Sequence, residues 1–427
     1  LVQYNANVQT LVLRTDGKLL VGMDNESSGG GGTMAFNLAE LNEDGSRSQQ
    51  FNSTIGFSFY NPVHGLALRP NGDVVVGGEF YIFNDDHHMN NGIPRKHLAV
   101  IDEMGYLSSS FDPGPSSDGV IRTLAVGPQG QIIAGGDFSN YRYALHSGIV
   151  QLNDYGYADA LFQSGTGFNG GVRAFALQPD GQLIVGGAFT SYNGTVCGRI
   201  TRLRTPPIGD CEGVAGGGAL PGTACNDCDP TTFNDVYDVN CVCAGTTTTG
   251  PAYQAGSLDT TFDPGSGFTG GAGSMALQPD GKVIVSGAFT AFNGTTRNRI
   301  ARINADGSLD AGYAVGTGFN DRTVDLALQP DGKVLVSGRF TSFNGVPRDL
   351  VVRLNVNGSL DASFNPGTDH NETSTNKLAL QPNGKVLVGG GFLNFNGSDA
   401  YDLVRLNANG SYDPTHDIGL GFDFPSD

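Results

Sequence analysis

The chain is 427 residues long, with 15% charged residues, 65 glycines, no tryptophan and a formal net charge of −18. That charge repels nucleic acid and anionic lipid surfaces. No run approaches the roughly 18 apolar residues of a spanning helix, so direct membrane insertion is not expected either.

The sequence opens Leu1-Val2-Gln3, without the basic and apolar stretches of a secretory leader. This predicts a leader that is absent or already removed, and a processed chain or a piece of a longer one. The first repeating unit follows at once. Seven copies of one phrase each turn on a glycine, Gly17, Gly72, Gly130, Gly181, Gly281, Gly332 and Gly384, spaced 55, 58, 51, 100, 51 and 52 residues apart. Units of this length built of short strands cannot bury their own faces, so neighbouring copies must stack.

The copy from Val172 to Phe189 shows the pattern. An apolar run ends in Pro179-Asp180-Gly181, residues suited to successive positions of a tight hairpin turn. Leu183 to Val185 is apolar without alternation, as in a strand covered on both faces. Gly186-Gly187 follows, and then a loop with an aromatic at each end, Phe189 to Gly194, recurring as Phe289 to Gly294, Phe340 to Gly345 and Phe392 to Gly397. A third strand, such as Arg299 to Ile303, closes in Asn304-Ala305-Asp306-Gly307 before a short fourth segment, Ser308-Leu309-Asp310. Four short antiparallel strands per repeat predict one propeller blade, and seven blades a closed ring without free edges. The alanines Ala67, Ala125, Ala176, Ala276, Ala327 and Ala379, with Val12 in the first copy, are expected to be steric: first strands converge on the axis, where only small side chains fit. Alignment of Tyr4–Val8 with Phe168–Val172, and of Gly419–Phe422 with Gly165–Phe168, predicts one whole ring. The first copy is degenerate, with Thr15-Asp16-Gly17 and a glycine-rich loop from Ser27 to Gly32.

The phrase Leu-Gln-Pro-Asp-Gly-Lys-Val-Leu-Val, followed by Gly-x-Phe-Thr-x-Phe-Asn-Gly and Arg-Leu-Asn-x-x-Gly-Ser-Leu-Asp-x-x-Phe, resembles the bacterial delta-60 β-propeller repeat. The resemblance implies secretion or cell-surface placement and a non-catalytic module, without naming a ligand.

Within the fourth repeat about 49 extra residues enter after Arg204, and the pattern resumes at Gly256-Ser257-Leu258-Asp259. The expected organisation is propeller over 1–204, a cysteine-rich insert over 205–255, and propeller again over 256–427. The insert replaces a third-to-fourth strand turn, which places it on the face of the Pro-Asp-Gly turns. It holds Cys211, Cys225, Cys228, Cys241 and Cys243; the sixth cysteine, Cys197, sits in the long loop expected on the other face. Too small for a core, the insert needs cross-links or metal. Disulfides among the six cysteines are the leading expectation in an oxidising compartment. Zinc on Cys225, Cys228, Cys241 and Cys243 is the rival.

The segment from Pro221 through Cys243 resembles a cysteine module of surface proteins from gliding gram-negative bacteria. Its oxygen donors Asp227, Asp229, Asn234, Asp235 and Asp238 form a candidate calcium set, with plain turn-forming residues as the alternative.

Elsewhere, Asp85-Asp86-His87-His88 is the densest polar cluster, a candidate ligand-face loop or simply a solvated one. No nucleophile elbow, zinc-protease or phosphate-loop motif occurs. Asn-Gly-Ser/Thr triplets such as Asn193 to Thr195 recur as turns. The expectation is an all-β, seven-bladed propeller of four-stranded blades without catalytic residues, acting as an adhesion-type binding or scaffold module. Partners would be other surface or secreted proteins, or glycans. An appendage or secretion-associated subunit and a polysaccharide-acting enzyme are the alternatives.

Overall fold

A computed structural model describes residues 6–25, 37–52, 61–83, 93–127, 130–205, 232–237, 243–247, 254–367, 375–392, 394–395 and 398–418, with 6, 25, 52, 82–83, 232–237, 243–247, 375–376 and 398–399 as backbone only. In each of the seven repeats the runs on either side of the turn glycine pair antiparallel, and a third strand joins the second. In the fourth sheet Val172–Leu177 pairs with Leu183–Gly187, which pairs with Ile200–Leu203. The turn between the first two is closed by the Gly181 N–H donating to the Gln178 carbonyl at 2.9 Å, with Gly181 at φ +83°. Proline presets the entry to such a turn, and only glycine takes the left-handed exit without strain.

Second strands such as Val74–Gly78, Val283–Gly287 and Val334–Gly338 are buried along their whole length. That accounts for their unbroken apolar sequence, since a sheet stands against each face. The apolar side chains fall into seven clusters, one between each successive pair of sheets. One of these joins Val8, Leu11 and Val21 of the first sheet to Ala379, Leu387 and Leu403 of the last. The first strand of each sheet packs on that of the next, and Thr375–Leu380 packs on Ala6–Leu13. The sheets therefore stack in a cycle, as in a β-propeller. Across the closing seam Arg405 Nη1 donates to the Glu43 carbonyl at 2.6 Å, and the Asp417 N–H donates to the Asp44 carbonyl at 3.0 Å. The recurring alanines lie in these inter-sheet layers: Ala176, Ala276 and Ala379 are buried, Ala67, Ala125 and Ala327 partly so.

The blades differ from expectation in two ways. Each sheet has three strands among the described residues, and the fourth segment keeps a single bridge, such as Ile303↔Leu309. The cause lies in the next residue. Asp310 turns its carboxylate back to accept from the Gly312 N–H at 2.9 Å, which curls the chain away before a ladder can extend. In the equivalent stretch after the insert, Pro264 also removes a donor. The aromatic loops, read as irregular, are two-stranded hairpins. Ser191–Tyr192 pairs with Thr195–Val196 around Asn193 (φ 49°) and Gly194 (φ 79°), the tight two-residue form that Asn-Gly favours. Phe189 and Tyr192 are buried against Phe168, with ring centroids 4.2 and 4.5 Å apart. Outside the strands, Gln49–Asn52 forms one helical turn.

The root of the extra segment in the fourth repeat is well tied. Arg204 and Ser257 are joined by an N–H to carbonyl bond of 2.9 Å, and the Gly256 N–H donates to the Arg204 carbonyl at 2.7 Å. Thr205 Oγ1 donates to the Gly181 carbonyl, so the segment leaves from the end of the sheet that carries the Pro-Asp-Gly turn. Within it Thr232–Tyr237 and Cys243–Thr247 pair antiparallel.

Candidate functional site

Every first strand carries the same irregularity. In the fourth sheet Val172 faces Gly187 while Ala174 faces Gly186, leaving Arg173 as an extra residue. The same offset singles out Gln9, His64, Arg122, Gly273, Val324 and Asn376. All seven stand eight residues before their turn glycine. A β-bulge re-aims its extra residue off the faces of the strand. For six of them that direction is the common axis. Gln9, His64, Arg122, Arg173, Gly273 and Val324 line a cavity of about 730 Å³ whose wall takes residues from all seven sheets. It opens at the end where first strands begin and the small hairpins stand, opposite the Pro-Asp-Gly turns.

The wall is uneven in charge. Along sheets two to four a ladder of ion pairs and hydrogen-bonded polar pairs runs around it. His64 Nε2 lies 3.0 Å from Glu79 Oε1 and Arg122 Nη2 lies 4.0 Å from the same oxygen. Arg122 Nε and Arg173 Nη1 both reach Asp137 Oδ2, at 2.5 and 2.8 Å. Burial works to raise the Asp137 pKa, but bonds from Arg173 and Arg122 hold it below the usual range, so the carboxylate stays ionised. Burial pushes His64 down despite Glu79, keeping the ring neutral at neutral pH. Gly171 makes room for the ladder: a Cβ there would lie 1.9 Å from Asp137 Oδ1.

Sheet five breaks the ladder, contributing Gly271, Ala272, Gly273, Gly287 and Ala288 to the wall. Beyond it stand Arg322 and Arg339 of sheet six, then Lys377 of sheet seven, whose Nζ is 3.1 Å from Asp325 Oδ1. Arg322 and Arg339 form no ion pair among the described residues; Asp321 Oδ1 accepts from the Arg322 backbone N–H at 2.6 Å and favours the charge of the guanidinium without pairing with it. Asp24 of sheet one also lines the wall, so the cationic character belongs to the side formed by sheet six, and that side is chemically fit to bind an anion.

Of the cysteines, the candidate calcium donors and the Asp85–His88 cluster, only Cys197 has a described side chain. It is a correction: Cys197 is a buried thiol without a disulfide, packed in the core between sheets three and four, where burial pushes its pKa up to about 12. Its hairpin stands at the opposite end of the sheet from the root of the extra segment, which is the physical reason. Cys211, Cys225, Cys228, Cys241, Asp227, Asp229 and Asp238 lie outside the described residues, as do Asp85, Asp86, His87 and His88. Cys243, Asn234 and Asp235 lie on strands described as backbone only. The strands Ile82–Phe83 and Ile93–Pro94, which flank the Asp85–His88 stretch, belong to the mouth-side hairpin of sheet two. Asn193, in a formal glycosylation triplet, uses its Oδ1 to accept from the Gly167 N–H at 2.9 Å, a turn role. The mouth residues were missed because Arg122, Arg173 and His64 read as interruptions in apolar strands. Aligning the column eight residues before each turn glycine would have gathered them.

Four segments, residues 178–205, 278–313, 329–364 and 381–415, match the family described as "Domain of unknown function (DUF5122) beta-propeller". No curated protein matches the sequence. Among solved structures the chain is similar to the WD40 beta propeller domain of Doa1, at 12% identity and a TM-score of 0.46, covering 95% of this chain and 93% of that one. It is similar to a catalytically inactive virginiamycin B lyase from Staphylococcus aureus with quinupristin, at 12% identity and TM-score 0.46, covering 95% and 96%. PorZ, described as an essential surface component of the type-IX secretion system of Porphyromonas gingivalis, shares 12% identity at TM-score 0.43, over 90% of this chain and 46% of that one. Likenesses this distant carry no functional weight.

Proposed function

We propose that the seven sheets are the blades of one seven-bladed propeller of the delta-60 kind, and that it serves as a non-catalytic binding and scaffold module of an extracellular or cell-surface assembly. The face around the axial mouth receives a protein partner. The cysteine-rich stretch 205–255, rooted at the far end of blade four, is left clear to dock on a neighbour. One observation carries this reading: the charged side chains that the bulges aim at the axis are arranged for holding a ligand rather than for moving protons. Asp137 is clamped ionised by two guanidinium groups. Glycoside cleavage, the alternative chemistry for such a mouth, requires instead a carboxyl group that keeps its proton.

Placement is tested by treating intact cells that make the protein with a protease that cannot enter them. Release of its peptides, with cytoplasmic markers untouched, is the expected outcome. Full protection until the cells are lysed would end the surface assignment.

A further inference from the structure

Three arginines and a bare wall set this mouth apart from a merely polar channel. Arg173 of blade four and Arg322 and Arg339 of blade six stand on either side of blade five. Arg322 is pushed below the usual guanidinium range by burial and by the charges of Arg339 and Arg173, so three like charges are held close together. A bound anion relieves that repulsion. Of the glycines between them, Gly287 is required by packing, since its Cβ would lie 2.2 Å from the Gly271 carbonyl oxygen, but Gly271 and Gly273 are not. A Cβ on Gly271 or Gly273 would meet nothing nearer than 3.7 Å, and neither residue has a left-handed φ. Gly171 in blade four, by contrast, has no room for a Cβ at all. Blade five thus leaves open space between Arg173, which shares Asp137 with Arg122, and the two guanidinium groups of blade six, which form no ion pair among the described residues.

Resting on the reading that the mouth is the binding face, the geometry points to an acidic peptide segment as its occupant, its carboxylates gripped by Arg173, Arg322 and Arg339 across the uncovered backbone of blade five. Guanidinium forks match planar carboxylates in paired hydrogen bonds. A backbone bared by Gly271 and Gly273 allows close approach of another main chain. Sugars are held largely by stacking on aromatic rings, and no phenylalanine or tyrosine lines this cavity among the described residues. The net charge of −18 disfavours a nucleic acid.

The experiment titrates the full chain into a fluorescein-labelled Gly-Asp-Glu-Asp-Gly peptide and follows anisotropy. Its amide counterpart, Gly-Asn-Gln-Asn-Gly, and an oligogalacturonate of equal charge serve as competitors. The acidic peptide should bind, and the amide peptide should not compete. The Arg322→Gln/Arg339→Gln double variant should bind about tenfold more weakly or worse, as loss of charge-assisted bonds implies. Gly273→Leu, which fills the space without removing charge, should also block binding, whereas Arg297→Gln, beside the blade-five hairpin but outside the cavity lining, should not. Melting temperatures of all variants should match the parent. Equal binding by the amide peptide, unchanged affinity in the double variant, or tighter binding of the oligogalacturonate would each overturn the assignment. Peptide binding by a protein that protease cannot reach on cells would sink the location and spare the site; the reverse pair of results would sink the site alone.

Discussion

At the residue scale the repeat phrase is a wiring diagram for buried charge. In blade six Asp361 accepts from Arg353 Nε at 2.8 Å and Lys333 Nζ at 2.9 Å. Arg353 Nη1 also donates to the Ala408 carbonyl of the next blade at 2.7 Å, and its guanidinium lies 4.9 Å over the Phe364 ring. Lys, Arg, Asp and Phe of one repeat thereby close a unit and tie it to its neighbour. Blade five repeats this with Lys282, Arg302, Asp310 and Tyr313. Burial acts to raise the Asp310 pKa, yet bonds from Lys282, the Gly312 N–H and Arg302 bring it down to about 2. His97 and His416 are pushed down to about 4, chiefly by burial. Both kinds of group bind protons more readily when unfolded, so both stabilise at high pH and lose that contribution as pH falls. The histidine share is complete above about pH 6.5 and disappears toward pH 4; the Asp310 share is complete above about pH 4 and disappears toward pH 2. Melting temperature should therefore fall in two stages between pH 7 and pH 2, and the His97→Asn/His416→Asn pair should flatten the first. A single loss confined below pH 4 would contradict the histidine part.

At the scale of elements, the strands and Pro-Asp-Gly turns were legible because their chemistry is local. Proline, aspartate and glycine each suit one position of the turn, and an unbroken apolar run signals cover on both faces. The Asn-Gly hairpins carried an equally local signal that the flanking aromatics obscured. The mouth was illegible for a different reason: a bulge shifts the two-residue period by one, and nothing in Val172-Arg173-Ala174 says where the extra residue falls. Only the partner strand, with Val172 opposite Gly187 and Ala174 opposite Gly186, locates it. The hairpin offers a clean measurement. A Cβ added at Gly194 would have no atom within 4 Å, but the residue sits at φ +79°. Gly194→Ala should therefore cost about 1 kcal/mol through backbone conformation alone, read by urea unfolding. Gly273→Ala, without that φ, should cost less; equal costs would mean that packing, not backbone, decides.

At the scale of the whole molecule, the cycle depends on seams that are alike. The last sheet meets the first through Val8, Leu387 and Leu403 much as inner neighbours meet, and among the described residues no strand is shared across the join. Because Arg204 and Ser257 are already bonded at the root of the 205–255 stretch, the ring does not need that stretch to close. Replacing 205–255 by Ala-Asp, the pair found at Ala305 and Asp306, should give a monomer that melts cooperatively and no lower than the parent. A lower, broadened transition by calorimetry would show that the stretch braces the ring. The bulges have a further consequence. Each one fixes where its residue points through backbone pairing alone, so glutamine, histidine, arginine, glycine and valine occupy equivalent places without disturbing the sheets behind them. Such a molecule resembles a keyboard on a rigid frame: its ligand preference can be rewritten one key at a time, while the frame stays blind to the message.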